Sequence, residues 1–168
     1  QSEVDDWRQM AAKIRINLDK KTGIYKQHDG FFDLPHIDVK TIPQDQFPVE
    51  QHWAYDRIFR YDMVRQPDVL LFLLFFSEEY SLETKRVNYE YYVPRCSGES
   101  LLTPAIHSIL AAEIGKYREA FEYAKSACRF DLAVHNRDTG EGLHVTSMAA
   151  AWMNIVYGFG GMRPDGKK

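Results

Sequence analysis

The stretch from Thr103 to Arg129 limits the possible folds more than any other part of this chain. Thr103-Pro104 sets a capping residue before a proline at the first helical position, where a missing N–H costs nothing. Ile106, Ile109, Leu110 and Ile114 then recur at the spacing of one helical face, and Gly115 ends the run. A second helix follows at once, with Tyr117, Ala120, Phe121, Ala124, Ala127 and Cys128 on one face. Two stripes joined by so short a connection predict an antiparallel helical hairpin. One hairpin is not a repeat array, because arrays need about three stacked units for stability.

The rest of the chain reads the same way. Val4, Trp7, Met10, Ala11 and Ile14 form a helical stripe behind Ser2, with acids in the first turn. Ile24 to Gln27 lies between two turn signals and predicts a short strand. Asp33 to Pro48 holds three of the seven prolines and reads as a long surface loop. An irregular helix with Trp53, Ile58 and Phe59 apolar is expected from Glu50 to Val64. Pro67 opens the next helix, and the unbroken apolar run Val69 to Phe76 predicts burial on all sides. Ser81 caps a helix that ends near Tyr92, before Pro94. Cys96 to Leu101 and Asn136 to Gly142 read as loops. A last helix is expected from about Leu143 to Tyr157, with Ala149, Ala150 and Ala151 permitting close packing. Gly158 to Gly161 breaks it, and a polar tail follows. The predicted fold class is all-α, built of helical hairpins with long loops.

At 168 residues the chain is long enough for one domain with a real core, taken as residues 1–168. Its 24 acidic and 21 basic residues are well mixed and give a net charge of -3. A nucleic-acid partner needs a basic face, so none is expected. The longest apolar run is far too short to span a bilayer, so no membrane partner is expected either. Cys96 and Cys128 make neither a disulfide framework nor a metal site, and two unpaired thiols fit a reduced, cytoplasmic protein. No cofactor is implied. Aromatic residues make up 14% of the chain. They suit a helical core first and the faces of sugar rings second.

Four segments are polar in ways that a core does not require. Arg65-Gln66-Pro67-Asp68 puts several donors next to a helix start. Arg95 to Ser100 offers hydroxyls, a glycine and an arginine ahead of the helix at Thr103, a setting suited to an anion. Glu99 works against a phosphate there, but it suits a base that takes a proton from water. Glu141-Gly142-Leu143-His144 again precedes a helix. His52-Trp53 with Asp56 and Arg57 suits a sugar platform, although core packing is the commoner use of such a tryptophan. The plain readings of the other three are an N-cap region, a solvated turn and, for His144, a satisfied, partly buried histidine. Three of the four lie at helix N-termini, and loops at one end of a ring of hairpins converge on a pocket.

Taken in order, three longer runs resemble glycoside hydrolase family 65. They are Arg65 to Leu71, then Tyr91 to Arg95 continuing through Leu102 to Glu113, then Glu141 to Met148 leading to Gly158-Phe159-Gly160-Gly161. Tyr25 to Phe32 and His52 to Arg57 look similar to the same family. That family holds the maltose, kojibiose, trehalose and nigerose phosphorylases and some hydrolases. The resemblance implies that this chain is the C-terminal part of an (α/α)6 catalytic barrel, a partial (α/α)6 barrel by itself. It also implies an inverting enzyme acting on an α-linked glucose disaccharide or oligosaccharide, with inorganic phosphate as co-substrate. Family members are often dimers, so a homodimer is the implied assembly.

The family's general acid has no counterpart in these residues and is expected upstream, in the remainder of the enzyme chain. The separate chain is therefore expected to show no turnover. Gln66 matches the family's glucose-binding Lys-Gln pair, and Arg65 departs from its lysine. The phosphate-binding His-Asp-Ser-Ser run falls on Gly98, Glu99, Ser100 and Leu101, where only Ser100 is kept. A second phosphate contact matches His144. The leading reading is therefore a phosphorylase, with Arg65 and Gln66 binding substrate and Ser100 and His144 binding phosphate. The alternative is an inverting hydrolase with Glu99 as general base. A third reading, from a different class, is a non-catalytic helical binding module.

Overall fold

The computed structural model describes residues 2–132 and 142–163. Eight α-helices appear among them: α1 Ser2–Lys13, α2 Val49–His52, α3 Tyr55–Ile58, α4 Asp68–Phe75, α5 Leu82–Tyr92, α6 Thr103–Glu113, α7 Tyr117–Arg129 and α8 Val145–Met153. A π-helical turn, Asn154–Phe159, continues α8. The strand expected near Ile24 is Ile24–Tyr25 (β2), and it pairs antiparallel with Leu18–Asp19 (β1). Most of the expected loop Asn136 to Gly142, with Glu141 and the tail after Arg163, lies outside the described residues.

Helix α6 is the axis of the structure. Every residue from Thr103 to Ala112 is buried, so the expected single stripe is in fact a helix enclosed on all sides. The physical reason is its content of small residues: Ala105, Ala111, Ala112 and Ser108 fill the sides between the Ile and Leu positions. The Ser108 hydroxyl donates to the Ala120 carbonyl at 2.8 Å and so leaves no buried polar cost. The turn into α7 uses Gly115 at φ 83, in the left-handed region. The Lys116 amide donates to Ala111 O at 2.7 Å and that of Gly115 to Ala112 O at 3.2 Å, the paired bonds that close a helix over glycine.

The packing face of α7 is narrower than its stripe predicted. Ala120, Ala124 and Ala127 are buried against the hairpin partner, whereas Tyr117, Phe121 and Cys128 are exposed. Alanines allow the close approach, and a bulky side chain in that seam would force the helices apart. Helix α1 keeps its predicted stripe but buries no residue: Trp7 and Met10 are each 59% exposed. Phe75 and Phe76, at the end of the apolar run, are exposed as well, while Leu70 and Leu73 are fully buried.

Residues 34–63 are more ordered than a surface loop. Val39, Ile42, Val49, Trp53, Ile58 and Met63 form a second small core in a segment that also carries two 3-10 turns. Trp53 is buried there, with its indole N–H donating to Gln46 Oε1 at 3.2 Å and the Arg57 guanidinium 3.7 Å from its ring centre. It is a packing residue, not a sugar platform. The expected irregular helix from Glu50 to Val64 becomes two single turns, α2 and α3, and Phe59 is exposed.

His107 sits inside α6, 2% exposed, between the rings of Tyr89 and Tyr123. Neither ring nitrogen has a hydrogen-bond partner among the described residues. Burial holds its pKa down to about 4, against 6.5 for a free histidine. An unfolded chain therefore takes up this proton near pH 6.5 and the folded one only near pH 4, so acidification through that window favours unfolding. The contribution approaches roughly 3 kcal/mol by pH 4. His107→Leu is expected to flatten the pH dependence of the urea-unfolding midpoint between pH 6.5 and 4 and to leave it unchanged above pH 7.

Candidate active site at the N-terminal ends of alternate helices

Two main-chain segments lie side by side ahead of α4 and α6. The Val64 amide donates to Arg95 O at 2.9 Å and the Ser97 amide to Val64 O at 2.9 Å, a short parallel bridge. Parallel pairing means that α4 and α6 begin at the same end of the bundle. Helix α7 runs back along α6, so Asp131, just past its C-terminus, returns to that end. His144 is bonded to Asp131, and α8 starts there too.

The crossing is fixed by Asp62, which is 4% exposed. Its carboxylate accepts from Arg95 Nε at 2.8 Å, from the Ile37 amide at 3.2 Å and from His36 Nδ1 at 2.9 Å. Arg95 also lies over the Tyr91 ring, 3.9 Å from its centre. Below the bridge, the buried Cys96 thiol lies 3.7 Å from Arg65 O, and burial pushes its pKa up.

Gln66 and Ser100 are brought into contact by this arrangement. The Ser100 hydroxyl donates to Gln66 Oε1 at 2.6 Å, joining residues 34 positions apart. Arg65 points to an ion pair with Glu50, and Glu99 accepts a hydrogen bond from the Val49 amide. Helix α2 thus takes up both charged members of the expected set. Its first amides need an acceptor, its own N-cap is Pro48, and the Glu99 carboxylate serves from a distant loop.

His144 is held separately. Asp131 Oδ1 accepts from its Nδ1 at 2.7 Å and Oδ2 from its backbone amide at 3.0 Å. The Phe130 ring meets the imidazole edge-on at 5.7 Å. The hydrogen bond from His144 holds the Asp131 carboxyl below the usual carboxylate range. No hydrogen bond joins His144 to the Gln66–Ser100 pair among the described residues; the two groups share an end of the bundle.

The opposite end is built differently. Lys85, 3% exposed at its side chain, pairs with Glu113, donates to the Ser77 hydroxyl at 2.6 Å, and shares Glu113 with Arg163 at 3.2 Å. Beside this cluster lies a groove of about 530 Å³ lined by Phe75, Phe76, Trp152, Tyr157 and Arg163. It is remote from the residues singled out in the sequence. Among the described residues, no group of three or more His, Cys, Asp or Glu is placed to hold a metal ion. No helix there is long and apolar enough to cross a membrane.

The sequence pointed to neither Asp62 nor Asp131 nor Glu50. Asp131 did leave a trace: an acid just past a helix C-terminus opposes the helix dipole and so calls for a specific partner. Residues 1–153 match the family model for the glycosyl hydrolase family 65 central catalytic domain. The chain belongs to glycoside hydrolase family 65. It is 38% identical over 161 residues to the maltose phosphorylase of Bacillus subtilis, across 96% of this chain and 21% of that protein. The α,α-trehalose phosphorylase of Thermoanaerobacter brockii is 40% identical over 161 residues, with the same shares covered. A solved structure provisionally named kojibiose phosphorylase, from the human microbiome, superposes with a TM-score of 0.88 at 47% identity over 97% of this chain and 22% of that one. The chain thus spans about a fifth of the length of these relatives. Its all-α pattern of alternating helices is that of the α/α barrel family.

Removing one partner from a buried ionic hub leaves the others uncompensated, at a cost of about 3 to 5 kcal/mol. Asp62→Ala is expected to lower the unfolding free energy by about that much and to loosen the crossing that seats Gln66, which denaturant titration will measure.

Proposed function

We propose that the protein carrying this chain is an inverting α-glucoside phosphorylase. It would cleave an α-linked glucose disaccharide with inorganic phosphate to give glucose 1-phosphate. In this reading Gln66 and Arg65 hold the terminal glucose, and Ser100 and His144 hold phosphate on the face opposite the leaving group. The remainder of the enzyme supplies the general acid. The observation that carries the reading is the Ser100–Gln66 contact beside a Glu99 carboxylate engaged by the Val49 amide. In this reading a hydroxyl between the sugar-binding amide and the phosphate side would bring nucleophile and anomeric carbon next to each other. Phosphate needs donors, not an added base: the imidazole is one, and the Ser100 hydroxyl becomes one when its single hydrogen turns from Gln66 to the anion. The similarity to maltose and trehalose phosphorylases supports the same reading.

The hydrolase alternative requires Glu99 to act on a water, whereas its carboxylate is engaged by the Val49 amide. That engagement favours a pinning role for Glu99. Cys96 and Cys128 are free thiols, which fits a reducing compartment and a cytoplasmic enzyme.

In the full-length gene product, glucose 1-phosphate is expected only when phosphate is present. Free glucose released at an equal rate without phosphate would show the hydrolase instead. Glu99→Gln keeps an acceptor for the Val49 amide and is expected to leave phosphorolysis within about threefold. Ser100→Ala is expected to raise the phosphate KM about tenfold, the scale of one lost hydrogen bond to a charged group.

A further inference from the structure

We propose that Asp131 is a positioning residue for phosphate: it clamps His144 at two points and thereby aims the free ring nitrogen at the anion. The inference rests on the reading of His144 as a phosphate contact and adds a residue to it.

The two carboxylate oxygens of Asp131 are divided between two donors of one residue. Oδ2 accepts from the His144 backbone amide at 3.0 Å and Oδ1 from the ring at Nδ1, at 2.7 Å. A carboxylate accepts and does not donate, so Nδ1 carries a hydrogen. The ring cannot turn over without breaking the shorter bond, and the backbone bond fixes the carboxylate against the residue whose ring it holds. Phe130, 8% exposed, packs edge-on against the imidazole and removes the remaining freedom of its plane. Both side chains of the pair are largely buried, at 14% and 11% exposure, so water competes little for these bonds.

The consequence is directional. With Nδ1 occupied, Nε2 is the nitrogen left for a ligand, and it has no hydrogen-bond partner among the described residues. An imidazole bound at Nδ1 meets phosphate through Nε2, as a donor when that nitrogen carries a hydrogen and as an acceptor from a phosphate hydroxyl when it does not. His144 stands immediately before α8, whose first amides have no partner within the helix. Phosphate would therefore meet the ring nitrogen and the helix start together, and Asp131 sets the angle between them.

The test compares Asp131→Asn, His144→Ala and the Asp131→Asn/His144→Ala pair in the full-length protein. The readouts are inorganic phosphate binding by titration calorimetry and KM for disaccharide. Asparagine has the shape of aspartate but one acceptor oxygen for two donors, so it weakens the clamp without opening a cavity. The expected result is phosphate binding about tenfold weaker in Asp131→Asn, disaccharide KM within twofold, and no further phosphate loss in the double variant beyond His144→Ala. Unchanged phosphate binding in Asp131→Asn, equal weakening of both ligands, or an additive double variant would each overturn the positioning role. If His144→Ala itself leaves phosphate binding unchanged, the fault lies with the reading of His144. If that variant weakens phosphate and Asp131→Asn does not, the reading stands and the role of Asp131 fails.

Discussion

Burial of α6 on every side is the constraint on which the other elements depend. A helix with ten consecutive enclosed residues needs neighbours all round, and α4, α5, α7, α8 and the π turn supply them. Fully burying side chains such as Ile106, Ile109 and Leu110 stabilises by roughly 1.5 to 3 kcal/mol each. Each neighbour must also come close, which explains the alanines of α7. A Cβ at Gly158 would lie 3.6 Å from the Ile109 backbone, an ordinary contact, so that position has room for alanine.

Enclosure dictates direction as well as composition. Short connections make successive helices antiparallel, so the starts of α4, α6 and α8 gather at one end and their finishes at the other. At the starts, main-chain amides and short polar side chains face outward from helix N-termini, the setting that favours anions and hydroxyls. At the finishes, Lys85, Glu113 and Arg163 close the bundle with a buried ionic cluster. Buried ionic clusters thus brace both ends, Asp62 with Arg95 at the starts and Lys85 with Glu113 at the finishes.

Much of this arrangement was legible in the residues. Pro104 and Gly115 mark the limits of α6 because each has a backbone reason to stand there. Ser81 marks the start of α5 for the same kind of reason: its hydroxyl accepts from the Thr84 amide at 3.1 Å. The packing face of α7 was not legible. Its alanines and its aromatics occupy neighbouring positions on the helix, and only the closeness of α6 decides between them. The β1 strand has two residues, too few for an alternating pattern. At the site, Gln66, Ser100 and His144 were named by resemblance, but what they touch was not. Glu50, Asp62 and Asp131 reach their partners across 15, 33 and 13 positions, and no local pattern encodes such contacts. Glu99 shows the limit best: its chemistry suits a base, and its fold partner makes it a cap.

The bridge between Val64 and residues 95–97 is made of backbone atoms alone. Main-chain bonds are indifferent to the side chains they carry. Side chains from Gly98 to Leu101 can therefore change while those two bonds persist. Selection is free to reshape this loop without renegotiating the scaffold.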